Sequence, residues 1–335
     1  MLKKIERLDW IDFAKGIGII LVLIGHSNFI PREMLCYIYS FHMPLFLFLS
    51  GFLFKYKSNL KDFLKKKIST TLIPYLSFFA LLLISIGIKN FVIFNKIITI
   101  KTAINILVLK PGFVYSIWFL ISLLFVEIIF NFILKVTNEK RIFVAIITVF
   151  CVFFSYVYFT YINNILFLQF QFIFSLLPFF SLGYLIKNSK YLKCFSNFYF
   201  ILFNLISSMY LFLVKITYFI DYTSITSNVY GNILLFYLLA ITSIFYIVGI
   251  CQNVKYNKLI NYIGKNSLVY FALQQTLITI PLSILFIKIG FNVNDLNMIT
   301  RLFLLMVDLI FNVIVLSGAN VIINNSKLKI LIGKK

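Results

Sequence analysis

The sequence predicts an all-α, polytopic transmembrane helical bundle of about ten spans with both termini cytoplasmic. Three observations carry this. Hydrophobic residues make up 61% of the 335 residues and charged residues only 12%, about half the charged share of an ordinary globular domain. Runs such as 16–30, 116–134 and 302–323 approach or exceed the roughly 20 apolar residues that cross a bilayer. These runs also lack the strict alternation of a barrel strand. Helices are then what satisfies the backbone in lipid.

The expected spans are 13–30, 38–54, 69–88, 115–134, 142–159, 165–186, 196–214, 232–250, 267–287 and 302–323. The first is read as a retained span, not a cleaved leader, because Pro31-Arg32-Glu33 follows it where a small-residue cleavage site would stand. The second opens on Phe41-His42-Met43-Pro44, with the proline where a missing N–H costs least. A basic run, Lys55 to Lys67, separates it from the third. Segment 89–114 mixes isoleucines with lysines and reads as an amphipathic helix lying on the membrane. The remaining spans alternate with short loops. No soluble domain, internal repeat or linker stands out, so the chain reads as one integral-membrane domain over 1–335.

Orientation follows from lysine and arginine. With the N-terminus inside, the inner segments hold 23 of the 31 basic residues and the outer segments 8, the excess expected of cytoplasmic loops. The net charge of +21 is therefore mainly an orientation device, and it makes the inner face attractive to anions. Nucleic acid is a poor partner for basic residues scattered over loops. Cys36, Cys151, Cys194 and Cys251 have no metal-binding or redox spacing, and no metal is expected.

The chain has two histidines, His26 and His42, at the outer ends of the first two spans. An ionisable side chain at such a depth faces a protein interior or an aqueous cavity, and imidazole is suited to proton transfer near neutral pH. Lys15 lies 11 residues before His26 and Asp12 lies 14 before it, so on a helix all three share one stripe, with Lys15 about 16 Å from His26 along the axis. A ligand with an anionic head inside and a reactive tip deep in the membrane fits that stripe. The plainer alternative is that Lys15 snorkels, Asp12 caps the helix and His26 bonds a neighbouring helix. Gly18 and Gly25 lie seven apart on one face and allow close helix contact. Asp308 shares a face with Arg301 and Asn312, at spacings of seven and four, which suggests a polar seam in the last span. Glu127 is a second acid within a span.

Residues 7–16 (RLDWIDFAKG) with Gly25-His26 resemble the first-helix signature of the bacterial membrane acyltransferase family 3, near its fucose 4-O-acetylase-like branch. Residues 41–52 (FHMPLFLFLSGF) resemble its second-helix signature. Weaker echoes are Trp118-Phe119-Leu120, the segment Leu177 to Gly183, and Ile263 to Leu268. The resemblance implies an O-acyltransferase of the bacterial plasma membrane that moves an acyl group, most often acetyl, from cytosolic acetyl-CoA to a hydroxyl of an envelope glycan or glycolipid. It implies catalytic roles for His26 and Lys15, with Asp12 beside them. Lys15, Lys65 and Lys66 become the contacts to the donor's phosphates, and His42, Ser50, Trp118 and Asp308 the candidate acceptor pocket. The chain departs from the family pattern in having Lys15 where many members carry arginine, and Gln274-Gln275 where relatives often carry histidine. A transporter or flippase for a lipid-linked glycan, or a non-catalytic membrane component of a synthesis complex, are the competing classes. The Lys15–His26 stripe distinguishes catalysis, which requires it, from passage, which does not.

Overall fold

A computed structural model of the chain describes residues 9–108, 115–162, 170–187, 189–219 and 223–334. Arg7 of the first motif, Lys110, and the start of the sixth expected span at 165–169 lie outside the described residues. The first elements are α1 (Asp9–Gly25), α2 (Arg32–Tyr39), α3 (His42–Leu53), α4 (Leu60–Lys67) and α5 (Ile73–Phe94). Next come α6 (Ile100–Leu107), α7 (Trp118–Val136), α8 (Arg141–Val157), α9 (Gln171–Ile186) and α10 (Phe198–Tyr218). The chain closes with α11 (Ile233–Asn253), α12 (Lys258–Lys265), α13 (Ser267–Gln274), α14 (Ile280–Ile289) and α15 (Met298–Asn325). Among the described residues there is no β-strand, only an isolated bridge between Ser224 and Val229.

The protein is an all-α, multi-pass membrane bundle. Among the described residues, eight helical runs are long and apolar enough to cross a membrane: Arg32–Leu53, Leu60–Phe94, Trp118–Val136, Arg141–Ile162, Phe198–Tyr218, Ile233–Asn253, Ser267–Ile289 and Met298–Asn325. The two other core helices, α1 with 17 residues and α9 with 16, are shorter. They pack inside the bundle, α1 against α3, α11, α12, α13 and α15, and α9 against α3, α7 and α8. Lipid-facing positions of α8, α10 and α15, such as Phe150, Phe203 and Phe303, are exposed.

Two helix crossings place the histidine-bearing helices, and both depend on missing side chains. A Cβ on Gly264 of α12 would stand 1.7 Å from the Asp12 carbonyl oxygen of α1, and one on Gly16 would stand 2.2 Å from the Ile260 carbonyl oxygen. At the second crossing, a Cβ on Gly51 of α3 would meet the Phe180 carbonyl oxygen at 1.9 Å, and one on Gly183 of α9 the Phe48 carbonyl oxygen at 2.0 Å. The backbones touch because these residues are glycines.

Two boundaries differ from the sequence expectation for physical reasons. Helix α1 ends at Gly25, five residues before the expected end at 30. Ser27 diverts the chain: its side-chain oxygen accepts from the Phe29 N–H at 3.3 Å, a local bond that competes with helix. Pro31 then holds its predecessor out of the helical region. The second expected span carries an interruption: α2 and α3 meet at an irregular turn, Ser40-Phe41, within the run Arg32–Leu53. The Ser40 hydroxyl donates to the Cys36 carbonyl at 2.7 Å and closes that break.

Prolines explain two π-helical turns. Turns Ile68–Leu72 and Gln275–Thr279 each end two residues before a proline, Pro74 and Pro281. Proline has no N–H and crowds the carbonyl of the preceding turn. Widening that turn by one residue accommodates both effects, and such turns recur at functional sites.

Candidate functional site: two cavities on opposite ends of the first helix

The short α1 and the broken α2–α3 together leave an open cavity of about 760 Å³. His26, Tyr39 and His42 line one wall, Ser116 and Trp118 another, and Thr223 to Thr226, Phe271 and Gln275 complete it. Both histidines and Trp118 are thus brought together. The Tyr39 ring lies between the imidazoles, with ring centroids 6.1 Å from His26 and 5.0 Å from His42.

The hydrogen bonds here define how each imidazole is oriented. His42 Nδ1 lies 2.8 Å from the Ile38 carbonyl oxygen. A carbonyl only accepts, so Nδ1 carries the proton and the Nε2 lone pair of the neutral ring is left to act as acceptor. The Tyr39 hydroxyl donates to the Gly25 carbonyl at 3.1 Å, and its oxygen lies 3.4 Å from His26 Nδ1. With the phenol proton on Gly25, His26 meets Tyr39 as a donor from Nδ1, and its Nε2 is likewise the basic nitrogen.

A second cavity, of about 1000 Å³, opens near the other end of α1. It is lined by Lys15, Lys55, Lys57, Lys66 and Lys67, with Glu127 and Ser50 among them. Lys67 forms an ion pair with Glu127 and lies 5.7 Å from the centroid of the Phe63 ring. The second carboxylate oxygen of Glu127 is buried without a hydrogen-bond partner. Nearby, Lys187 donates to the Phe54 carbonyl at 3.1 Å. Its ammonium has a pKa below the usual lysine value, through burial first and then the like charge of Lys55. Five ammonium groups facing one cavity favour a polyanion.

The structure sorts the remaining candidates. Lys15 and Lys66 line the basic cavity, whereas Lys65 is exposed beside it. Ser50, expected in an acceptor pocket with the histidines, lies in the basic cavity with Lys15. Asp12 is buried at the α1–α12 crossing, not in either cavity lining. Asp308 does not line the histidine cavity. Its carboxylate accepts from Asn312 Nδ2 at 2.9 Å and is bonded by Ser27. Arg301 turns away from it and donates to the Phe29 and Ile30 carbonyls at 3.0 and 2.7 Å. This seam anchors the turn after α1. Sequence reasoning did not single out Tyr39, Ser116 or the Thr223–Thr226 segment. Tyr39 had one available signal, its position one helical turn before His42.

The two cavities lie along one face of α3. His42, Phe46 and Ser50 follow at intervals of four, so they share that face over about 12 Å. His42 lines the upper cavity and Ser50 the lower. Phe46 stands between them, packed on Gly18 and on Phe119 with ring centroids 6.2 Å apart. Phe119 in turn packs on Phe271, which lines the histidine cavity, at 5.7 Å. An aromatic layer therefore divides a basic chamber from an imidazole chamber.

Among the described residues no group of three or more His, Cys, Asp or Glu could hold a metal ion. A family model described as an acyltransferase domain matches residues 8–317 of the chain. No curated protein and no solved structure matches it.

Proposed function

The chain belongs to acyltransferase family 3, and from that premise we propose that this membrane acyltransferase moves an acetyl group from cytosolic acetyl-CoA to a hydroxyl of a bacterial envelope glycan or glycolipid. The observation that carries the reading is the separation of chemistries along α1. A five-lysine chamber surrounds Lys15, and a two-imidazole chamber surrounds His26, one on each side of the Gly18–Phe46 contact. The donor's phosphates match the lysines, and its flexible thioester arm is long enough to span the roughly 16 Å from Lys15 to His26 along α1, past the aromatic layer. The protein lies in the bacterial plasma membrane with the lysine chamber facing the cytosol.

In this mechanism the acceptor hydroxyl enters the imidazole chamber. His26 Nε2 removes its proton as the oxygen attacks the thioester carbonyl. The C–S bond then breaks, and the proton on His26 passes to the departing thiolate. Tyr39 fixes the His26 tautomer that makes Nε2 the base. His42, with Nδ1 committed to Ile38, offers its Nε2 to the acceptor and orients it. Lys15, Lys66 and their neighbours hold the donor. Transfer is then set by positioning.

The reading is tested by NMR analysis of envelope glycans from a strain lacking this protein. O-acetyl signals should disappear and return with the wild-type chain. Unchanged O-acetylation, at any hydroxyl, would contradict it.

A further inference from the structure

Gln275 opens the π-helical turn before Pro281 and lines the imidazole chamber. Its carboxamide has a fixed orientation. The Ser116 main-chain N–H and the Ser116 hydroxyl both donate to Gln275 Oε1, each at 2.8 Å. A backbone N–H only donates, so the atom it meets is the oxygen, and the amide cannot be turned round without losing the bond. Nε2 is therefore the free end. It has no hydrogen-bond partner among the described residues, and it is not enclosed in the protein with the buried orphan atoms.

The chamber thus holds unequal equipment. The two imidazoles present Nε2 lone pairs, which take protons. The Gln275 amide presents N–H groups, which donate hydrogen bonds. Acyl transfer needs both: a base for the attacking hydroxyl and a donor for the carbonyl oxygen that becomes negative. The π turn aims the side chain, and Ser116 removes its freedom to reorient, so the donor is preorganised.

We propose that Gln275 is the oxyanion-stabilising residue of this site. The inference rests on the acyl-transfer reading above. In the step it serves, the acceptor oxygen forms a C–O bond to the acetyl carbonyl carbon while its proton goes to His26 Nε2. The carbonyl oxygen, now an oxyanion, accepts from Gln275 Nε2. The C=O re-forms as the C–S bond breaks, and the thiolate takes the proton from His26. The products are the acetyl ester and free CoA thiol. The Ser116 bonds also polarise the amide carbonyl and strengthen its N–H groups as donors.

The experiment uses inverted membrane vesicles carrying the full chain, fed radiolabelled acetyl-CoA, with label followed onto endogenous envelope glycan. Gln275→Glu keeps an oxygen for both Ser116 donors and replaces the N–H end by an acceptor. It should lower the maximal transfer rate by about 10²–10³-fold and leave the half-saturating acetyl-CoA concentration unchanged. Ser116→Ala keeps the main-chain lock and should lower the rate far less. Wild-type transfer with Gln275→Glu equally active, or changed only in half-saturation, overturns the inference while leaving the acyl-transfer reading intact. Wild-type vesicles that transfer no label overturn both. Should Gln275→Glu fail to accumulate in the membrane, Gln275→Asn decides. It keeps the amide but withdraws it by one methylene, and full activity would overturn the assignment.

Discussion

The ring of Phe46 closes over Gly18: a Cβ at Gly18 would stand 2.8 Å from Phe46 Cζ. This one contact joins the helix that carries Lys15 and His26 to the helix that carries His42 and Ser50. It also lies between the lysine chamber and the imidazole chamber, on the route that the proposed mechanism gives to the donor's reactive end.

Enlarging Gly18 therefore tests the route. Gly18→Leu should still insert and fold, at a cost of about 1–3 kcal/mol for overpacking, yet lose at least about tenfold in acyl transfer as the passage narrows. Transfer measured in vesicles, beside a thermal melt of the detergent-extracted protein, separates the two effects. Wild-type transfer by Gly18→Leu would mean that the chambers connect elsewhere.

The lysine chamber predicts opposite effects from opposite charges. Lys15→Ala should raise the acetyl-CoA concentration needed for half-maximal transfer, and Glu127→Gln, which frees Lys67 from its ion pair, should lower it. Each change should be several-fold and should shrink in high salt. Equal responses to both substitutions would remove the chamber from donor binding.

Tyr39→Phe deletes one hydroxyl from between the two imidazoles. The Gly25 carbonyl and His26 Nδ1 lose their shared partner, and a net hydrogen bond is worth about 0.5–1.5 kcal/mol. The maximal rate should fall by roughly 3–10-fold on that energy scale, with donor affinity unchanged. A change in donor affinity alone would point to a packing role.

Gly264→Ala tests the scaffold. Its Cβ would meet a main-chain oxygen of α1, an atom that cannot swing aside. The substitution should lower the melting temperature and the yield of folded protein, more than Gly318→Ala, where nothing stands within 4 Å. Equal stability of the two variants would contradict the close crossing.

Much of this was legible in the sequence because lipid imposes simple rules. Hydropathy located the helices, and the 11-residue interval sets Lys15 and His26 well apart along α1, where they line different cavities. What the sequence concealed was tertiary. Asp308 lies at a helical interval from Arg301, yet Arg301 reaches the carbonyls left over where α1 ends early. Ser50 belongs with the lysines and not with His42, because eight residues of helix carry it into the other chamber. Gln275 stands out in the sequence only as a departure from the family's histidine; the partner at Ser116, 159 positions away, fixes which end of its amide is free.

The most direct measurement of the central claim compares wild-type and His26→Ala vesicles supplied with radiolabelled acetyl-CoA. The wild-type chain should transfer label to envelope glycan, and His26→Ala, present in the membrane in equal amount, should transfer about 10²–10⁴-fold less. Equal labelling by the two, or no labelling by the wild type, would contradict the account.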